Sequence, residues 1–165
     1  MEAIFKRVSM RTFLDIDVDD ATIEKILRAG MQAPSAVNQR PWEFYVVTNK
    51  QVLADLAKCS PYAGPVAKAP TAIVAVYRTT NLEAPEFVHM DMSCCVENML
   101  LEAAQLDMGS VWISVAPVPD RMEKAKAVLK LPEDREVFAI LPVGYPMAEA
   151  KQRDRFDASR IHTVD

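Results

Sequence analysis

Arg7, Ser9 and Arg11 alternate in the stretch RVSMR, and Arg153 and Arg155 alternate in RDR near the other end of the chain. Alternate residues of an extended backbone point the same way, and arginine forks match the oxygens of a phosphate. If the first stretch is helical instead, Arg7 and Arg11 share a face at i, i+4 and repel each other. A bound phosphate or an electron-rich ring would compensate in either case. Each stretch by itself also reads as solvated surface charge. A third stretch, APSAVNQRPW at 33–42, sets Ser35 and Asn38 between prolines ahead of Trp42. It reads as a rigid polar platform with an aromatic anchor, or as an ordered loop in which Asn38 caps its own turn and Trp42 joins the core. A fourth, GSVWIS at 109–114, brings Trp112, Ile113 and Ser114 to a strand end, as an ordinary buried strand would.

Other chemistries lack their residues. The chain has two histidines, His89 and His162, and four glycines. It contains no G-x-S-x-G, H-E-x-x-H, G-x-x-x-x-G-K-[ST] or G-x-G-x-x-G. The acidic residues form no evident carboxylate pair, and Cys59, Cys94 and Cys95 have no spacing that suits a metal. The three thiols read as buried in a reducing compartment. An enzyme built from these residues would take its hard chemistry from a cofactor.

The elements that must position these groups follow from periodicity. Residues 2–10 read as a short helix. Asp19 or Asp20 caps a second helix, with Ile23, Ile26, Leu27 and Met31 at helical spacing and Pro34 ending it. WEFYVVT (42–48) reads as a strand, 50–58 as a helix and 60–70 as an irregular connection. The apolar run TAIVAVY (71–77) reads as a central strand and 79–87 as a polar loop. A long helix spans 88–108, with Gly109 as its C′ residue. A strand at 110–116, a helix from Pro119 to near Lys130, a strand at 136–146 and a charged tail complete the α+β pattern. His89, Met90 and Met92 read as packing residues.

The length of 165 residues suits one domain, 1–165, with its own core. Half the residues are hydrophobic and a quarter charged, as in ordinary globular proteins. A net charge of −4 gives no basic excess for nucleic acid or an anionic membrane. No apolar run approaches the ~20 residues of a membrane span. MEAIFKRVSMRTF has no signal-peptide core, so a cytoplasmic protein is expected.

Taken in order, RVSMRTF, APSAVNQRPWEFYVV, GSVWISVAP after a long helix, LPVGYP and RDRFDASRIH resemble the nitroreductase family of FMN-dependent oxidoreductases over nearly the whole chain. The resemblance implies a mixed, mainly antiparallel sheet flanked by helices, in an intertwined homodimer with FMN at the subunit interface. It implies that Arg7, Ser9 and Arg11 bind FMN, Arg7 on the phosphate side and Arg11 toward the pyrimidine edge. Pro34, Ser35, Ala36 and Asn38 would reach FMN from the partner subunit. Ile113, Ser114 and Val115 would lie beside flavin N5, and Arg153 and Arg155 would clamp the phosphate. That phosphate carries about two negative charges near neutral pH, which three arginines offset without a glycine loop. The implied reaction is ping-pong hydride transfer from NADH or NADPH to a small oxidised acceptor such as a nitroaromatic or quinone. No catalytic side chain and no metal are implied. A reductive dehalogenase of the same fold and a flavin carrier without turnover are the alternatives. Arg40 stands where the family often has Gln before Pro-Trp. Residues 60–89 leave little room for a lid, so an open, permissive pocket is expected, and the tail after Arg160 allows only a brief arm.

Overall fold

The computed structural model describes residues 2–149 and 151–164. In chain order the elements are α1 (Glu2–Lys6), α2 (Asp20–Met31), β1 (Trp42–Val47), α3 (Lys50–Leu56), β2 (Thr71–Arg78), α4 (Val88–Gln105), β3 (Gly109–Ser110), β4 (Ile113–Ser114), α5 (Pro119–Leu129) and β5 (Arg135–Gly144). The strands form one sheet in the order β1-β2-β5-β3, with β4 also on β5, and every pairing among them is antiparallel. A single parallel bridge, Ser9 to Ser110, adds the N-terminal segment to its edge.

Side-chain alternation along β2 divides the core. Ile73, Ala75 and Tyr77 face α2 and α4, where Ile26, Met92, Val96 and Met99 are buried. Ala72, Val74 and Val76 face the opposite layer, with Leu53, Leu56 and Ala125 of α3 and α5. A strand buried on both faces is apolar nearly throughout, and that is what made TAIVAVY legible. The β2–β5 register shifts between Ala75 and Val76, leaving Phe138 as an extra residue. The bulge turns both Phe138 and Ala139 toward the α2–α4 layer.

Several boundaries differ from the sequence expectation. The first helix ends at Lys6, not Met10. Beyond it the Met10 N–H donates to the Ser110 carbonyl at 2.9 Å, so strand-like pairing wins over another turn of helix. The long helix ends at Gln105, and Asp107 rather than Gly109 is its left-handed residue, with φ 59°. The Asp107 N–H bonds to the Ala104 carbonyl and the Met108 N–H to the Ala103 carbonyl, the paired bonds of a Schellman closure. Gly109 instead sits at a close approach of the backbone. A Cβ there would lie 3.1 Å from Met10 Cβ and 3.3 Å from the carbonyl oxygen of Gly144, its partner across the ladder.

The strand expected at 110–116 is two short ladders, β3 and β4, in one continuous register against β5. That register sets Val111 opposite Pro142, which has no N–H to donate and interrupts the ladder. The buried-thiol expectation fails at Cys94, which is exposed while Cys59 and Cys95 are buried. Met90, expected to pack, is also exposed, 65%. Met90, Cys94 and Glu97 fall at i, i+4 and i+7 on the outer stripe of α4. His89 sets its ring edge-on to Tyr77 and tilted against Phe138 but is exposed and lines a small surface pocket, so of the three only Met92, fully buried, packs as expected.

Candidate functional site

The two ends of the chain meet because backbone hydrogen bonds join them. The Leu14 N–H donates to the Tyr145 carbonyl at 2.8 Å and the Met147 N–H to that of Thr12 at 3.2 Å. Phe13, buried, bridges to Pro146 between them. The tail therefore returns past RVSMR. Arg7, Ser9, Arg11, Arg153 and Arg155 all line one cleft of about 1020 Å³. Arg7, Arg11, Lys151, Arg153 and Arg155 contribute five cations to its wall against one carboxylate, Asp154. Asp154 accepts from the Phe156 N–H at 3.0 Å, which turns that part of the tail back on itself. Arg7 is held from α4, its Nε 3.5 Å from Glu97 Oε1. Arg11 Nη1 donates to the Ser9 carbonyl at 3.2 Å, so the short extended stretch braces its own cation.

Arg11 also reaches a second cleft, of about 560 Å³, at the end of β4. Trp112, Ile113 and Ser114 line it together with Tyr62 and Arg121. Ile113 turns its side chain into the core, and Ser114 is exposed. Val115 is fully buried, and its N–H donates to the Phe138 carbonyl at 3.2 Å. Trp112 packs edge-on to Phe138 with ring centroids 5.7 Å apart. The bulge at Phe138 thus supports both the backbone and the aromatic wall of this strand end.

The loop that carries Pro34, Ser35, Ala36 and Asn38 lines neither cleft in this chain. Its shape is set from α4. Asp91, only 4% exposed, accepts from the Ala36 N–H at 2.8 Å and from Gln39 Nε2 at 2.7 Å. Gln39 completes the clasp with Ala84, donating to its carbonyl and accepting from its N–H. Ser35 Oγ accepts from the Arg40 N–H at 2.9 Å, so this hydroxyl is part of the loop's own bracing. Val37, Asn38 and Arg40 all have positive φ, 46°, 56° and 43°. For a β-branched residue such as Val37 this backbone is strained, and such strain persists only where surrounding contacts enforce it. The loop presents Val37 and Asn38 outward, and Val37 is 63% exposed.

Sequence reasoning passed over Asp91, Glu97 and Arg121. Asp91 and Glu97 sit in a long helix, where a carboxylate looks like solvent-facing charge. The available signal for Asp91 was its register: Asp91, Cys95, Asn98 and Leu101 continue at three- and four-residue steps beside the apolar stripe. Arg121 gave no signal, because Tyr62 is distant in sequence and Ser114, seven residues before it, meets it only across the turn into α5. Burial pushes the Cys59 thiol up in pKa, while the nearby cations Arg121 and Lys124 pull it down. Burial raises Cys95 to about 12, so this thiol stays protonated.

Fold and site together define a class: a helix-flanked antiparallel sheet whose joined chain ends make a cationic cleft that runs to an aromatic strand end. Residues 4–61 and 58–145 match the sequence model of the Nitroreductase family. A Methanothermobacter thermautotrophicus protein provisionally named NADH dehydrogenase/NAD(P)H nitroreductase is 40% identical over 98% of this chain and 85% of its own length. The crystal structure of a provisionally named NADH oxidase from Clostridium acetobutylicum superposes with a TM-score of 0.96 at 41% identity, covering 99% of each chain. An FMN-dependent nitroreductase from Clostridium difficile superposes with a TM-score of 0.91 at 28% identity, over 100% of this chain and 99% of the other. This chain belongs to the nitroreductase family and has its fold.

Proposed function

We propose that this chain is an FMN-dependent oxidoreductase that passes a hydride from NADH or NADPH to a small oxidised acceptor such as a quinone or nitroaromatic. The observation that carries the reading is the convergence of Arg7, Ser9, Arg11, Arg153 and Arg155 on one cleft. The donor set fits FMN: five cations, against Asp154 on the wall and Glu97 behind Arg7, suit a phosphate near two negative charges. The neighbouring strand end offers apolar and aromatic surface for a planar ring. Bound FMN supplies reversible two-electron chemistry that no side chain of this protein provides.

In this reading Arg7, Arg153 and Arg155 neutralise the phosphate, and Ser9 adds a hydroxyl. Arg11, shared by both clefts, holds positive charge at the pyrimidine edge, where reduction builds negative charge. Ile113, Ser114 and Val115 back the ring. Pro34, Ser35, Ala36 and Asn38 come from a second copy and close the opposite wall. The strained, outward loop supports that placement, as do exposed Ile4 and Phe5 of α1 and Phe156 and Ile161 of the tail, all at least 59% exposed. Donor and acceptor use the same face in turn. A quinone gains a hydride and a solvent proton to become the hydroquinone, and NAD(P)H leaves as NAD(P)+.

Steady-state oxidation of NADH and NADPH at several quinone concentrations tests this. Parallel double-reciprocal lines are expected. Intersecting lines would remove the ping-pong sequence, and flavin-loaded protein without turnover would leave a carrier.

A further inference from the structure

A third pocket, of about 320 Å³, lies where β2 ends and α4 begins, and it shares no residue with either cleft. Leu82, Pro85 and Val88 give it apolar surface, and Tyr77, Glu86 and His89 give it polar groups. Tyr77 is only 9% exposed, and its hydroxyl meets His89 Nε2 at 3.2 Å. Burial and the charge of Glu136 both push the phenol up in pKa, so it keeps its proton. With a neutral imidazole, this contact uses one proton and leaves one. Where the phenol donates to Nε2, Nδ1 carries the spare N–H; where Nε2–H donates, the phenol proton is spare. Either arrangement leaves one donor with no acceptor among the described residues. Glu86, the only carboxylate on the wall, disfavours an anionic visitor.

The pocket is tied to the loop that the flavin reading assigns to the second copy. Tyr77 lies opposite Trp42 in the β1–β2 ladder. The Arg78 guanidinium donates to the Gln39 and Arg40 carbonyls. Gln39 clasps Ala84, and the next two residues, Pro85 and Glu86, line the pocket. Wherever the loop at 34–40 docks, the pocket docks beside it.

We propose that this pocket is the part of the acceptor site contributed by the second copy, and that the His89–Tyr77 pair donates a hydrogen bond to the carbonyl oxygen of a neutral, planar acceptor such as a quinone. As a statement about a place beside the flavin, the inference rests on the reading above; as a statement about binding, it does not. The bond orients the carbonyl and strengthens as reduction builds negative charge on its oxygen. The proton that completes the hydroquinone still comes from solvent.

Equilibrium dialysis of the oxidised protein against duroquinone reads binding without turnover. Tyr77→Phe and His89→Leu should each weaken it roughly fivefold, a ratio worth ~1 kcal/mol. His89→Gln, which keeps a donor, should recover part of the loss. Because His89 is exposed, its variants test the pair even if Tyr77→Phe loosens the fold. In turnover, the KM for duroquinone should rise while the rate of anaerobic flavin bleaching by the preferred nucleotide stays the same. Unchanged duroquinone binding in His89→Leu, or a bleaching rate that falls as far as the quinone affinity, overturns the proposal. Duroquinone should also shift the flavin absorption bands of the wild-type protein. Binding that depends on His89 but leaves those bands unmoved puts the pocket away from the flavin and overturns its place in the acceptor site. A protein that binds no FMN but keeps His89-dependent quinone binding defeats the flavin reading and leaves the quinone subsite standing.

Discussion

Arg7 is restrained from two directions, by its N–H on the Ala3 carbonyl at 2.9 Å and by Glu97 at 3.5 Å from its guanidinium. A cation already held in place loses less freedom when it takes up an anion. Arg7→Ala should therefore weaken FMN binding by about 1.5–3 kcal/mol, the range for a hydrogen bond to a charged group. Fluorescence titration measures this directly, and an unchanged affinity would remove Arg7 from the site. The alternation of Arg7, Ser9 and Arg11 was legible in the sequence because extended backbone gives it meaning. The restraint by Glu97 was not, because it depends on how α1 packs against α4. Arg121 was hidden for the same reason: its partners come from a loop and a strand end that only the folded chain brings together.

At the scale of elements, α4 does two jobs. Its inner stripe of Met92, Val96 and Met99 fills the core, and Asp91 near its start shapes the loop at 34–40. Replacing Asp91 with Ala should leave the Ala36 N–H and Gln39 Nε2 without their acceptor, at roughly 1–3 kcal/mol for each buried donor left unpaired. Thermal unfolding should register that loss. FMN affinity should fall more than in an α3 variant such as Leu53→Val chosen to lower Tm equally, because the loop itself serves the cofactor. Equal FMN affinity in the two proteins would make Asp91 purely structural. Helices with clear caps were read well: Asp19 accepts from the Thr22 N–H at 2.9 Å to start α2, as its sequence position suggested. The end of α4 was misplaced because glycine is the usual left-handed residue, yet here Asp107 takes that backbone and pairs with Lys6. The break between β3 and β4 was invisible because it comes from Pro142 on the neighbouring strand.

For the whole molecule, one chain brings together the cationic cleft and the aromatic strand end, but its loop at 34–38 lines neither. A site completed by a second copy predicts a particle of twice 18.4 kDa in sedimentation. It also predicts complementation: Arg7→Ala and Asn38→Gly chains, each weak in FMN binding alone, should regain wild-type affinity at half the sites of a co-expressed mixed dimer. A mixed dimer with no wild-type sites would place both residues on the same subunit's FMN. The α+β pattern and the sheet's central strand could be read from sequence because burial on both faces leaves an uninterrupted apolar run. The contribution of a partner could not be read from periodicity, which reports only which face is covered and not by what. The most direct test is the absorption spectrum of the purified protein, before and after anaerobic NADH and then NADPH. The account predicts oxidised-flavin bands that bleach with at least one nucleotide and return in air. A colourless protein that added FMN cannot reconstitute would contradict it.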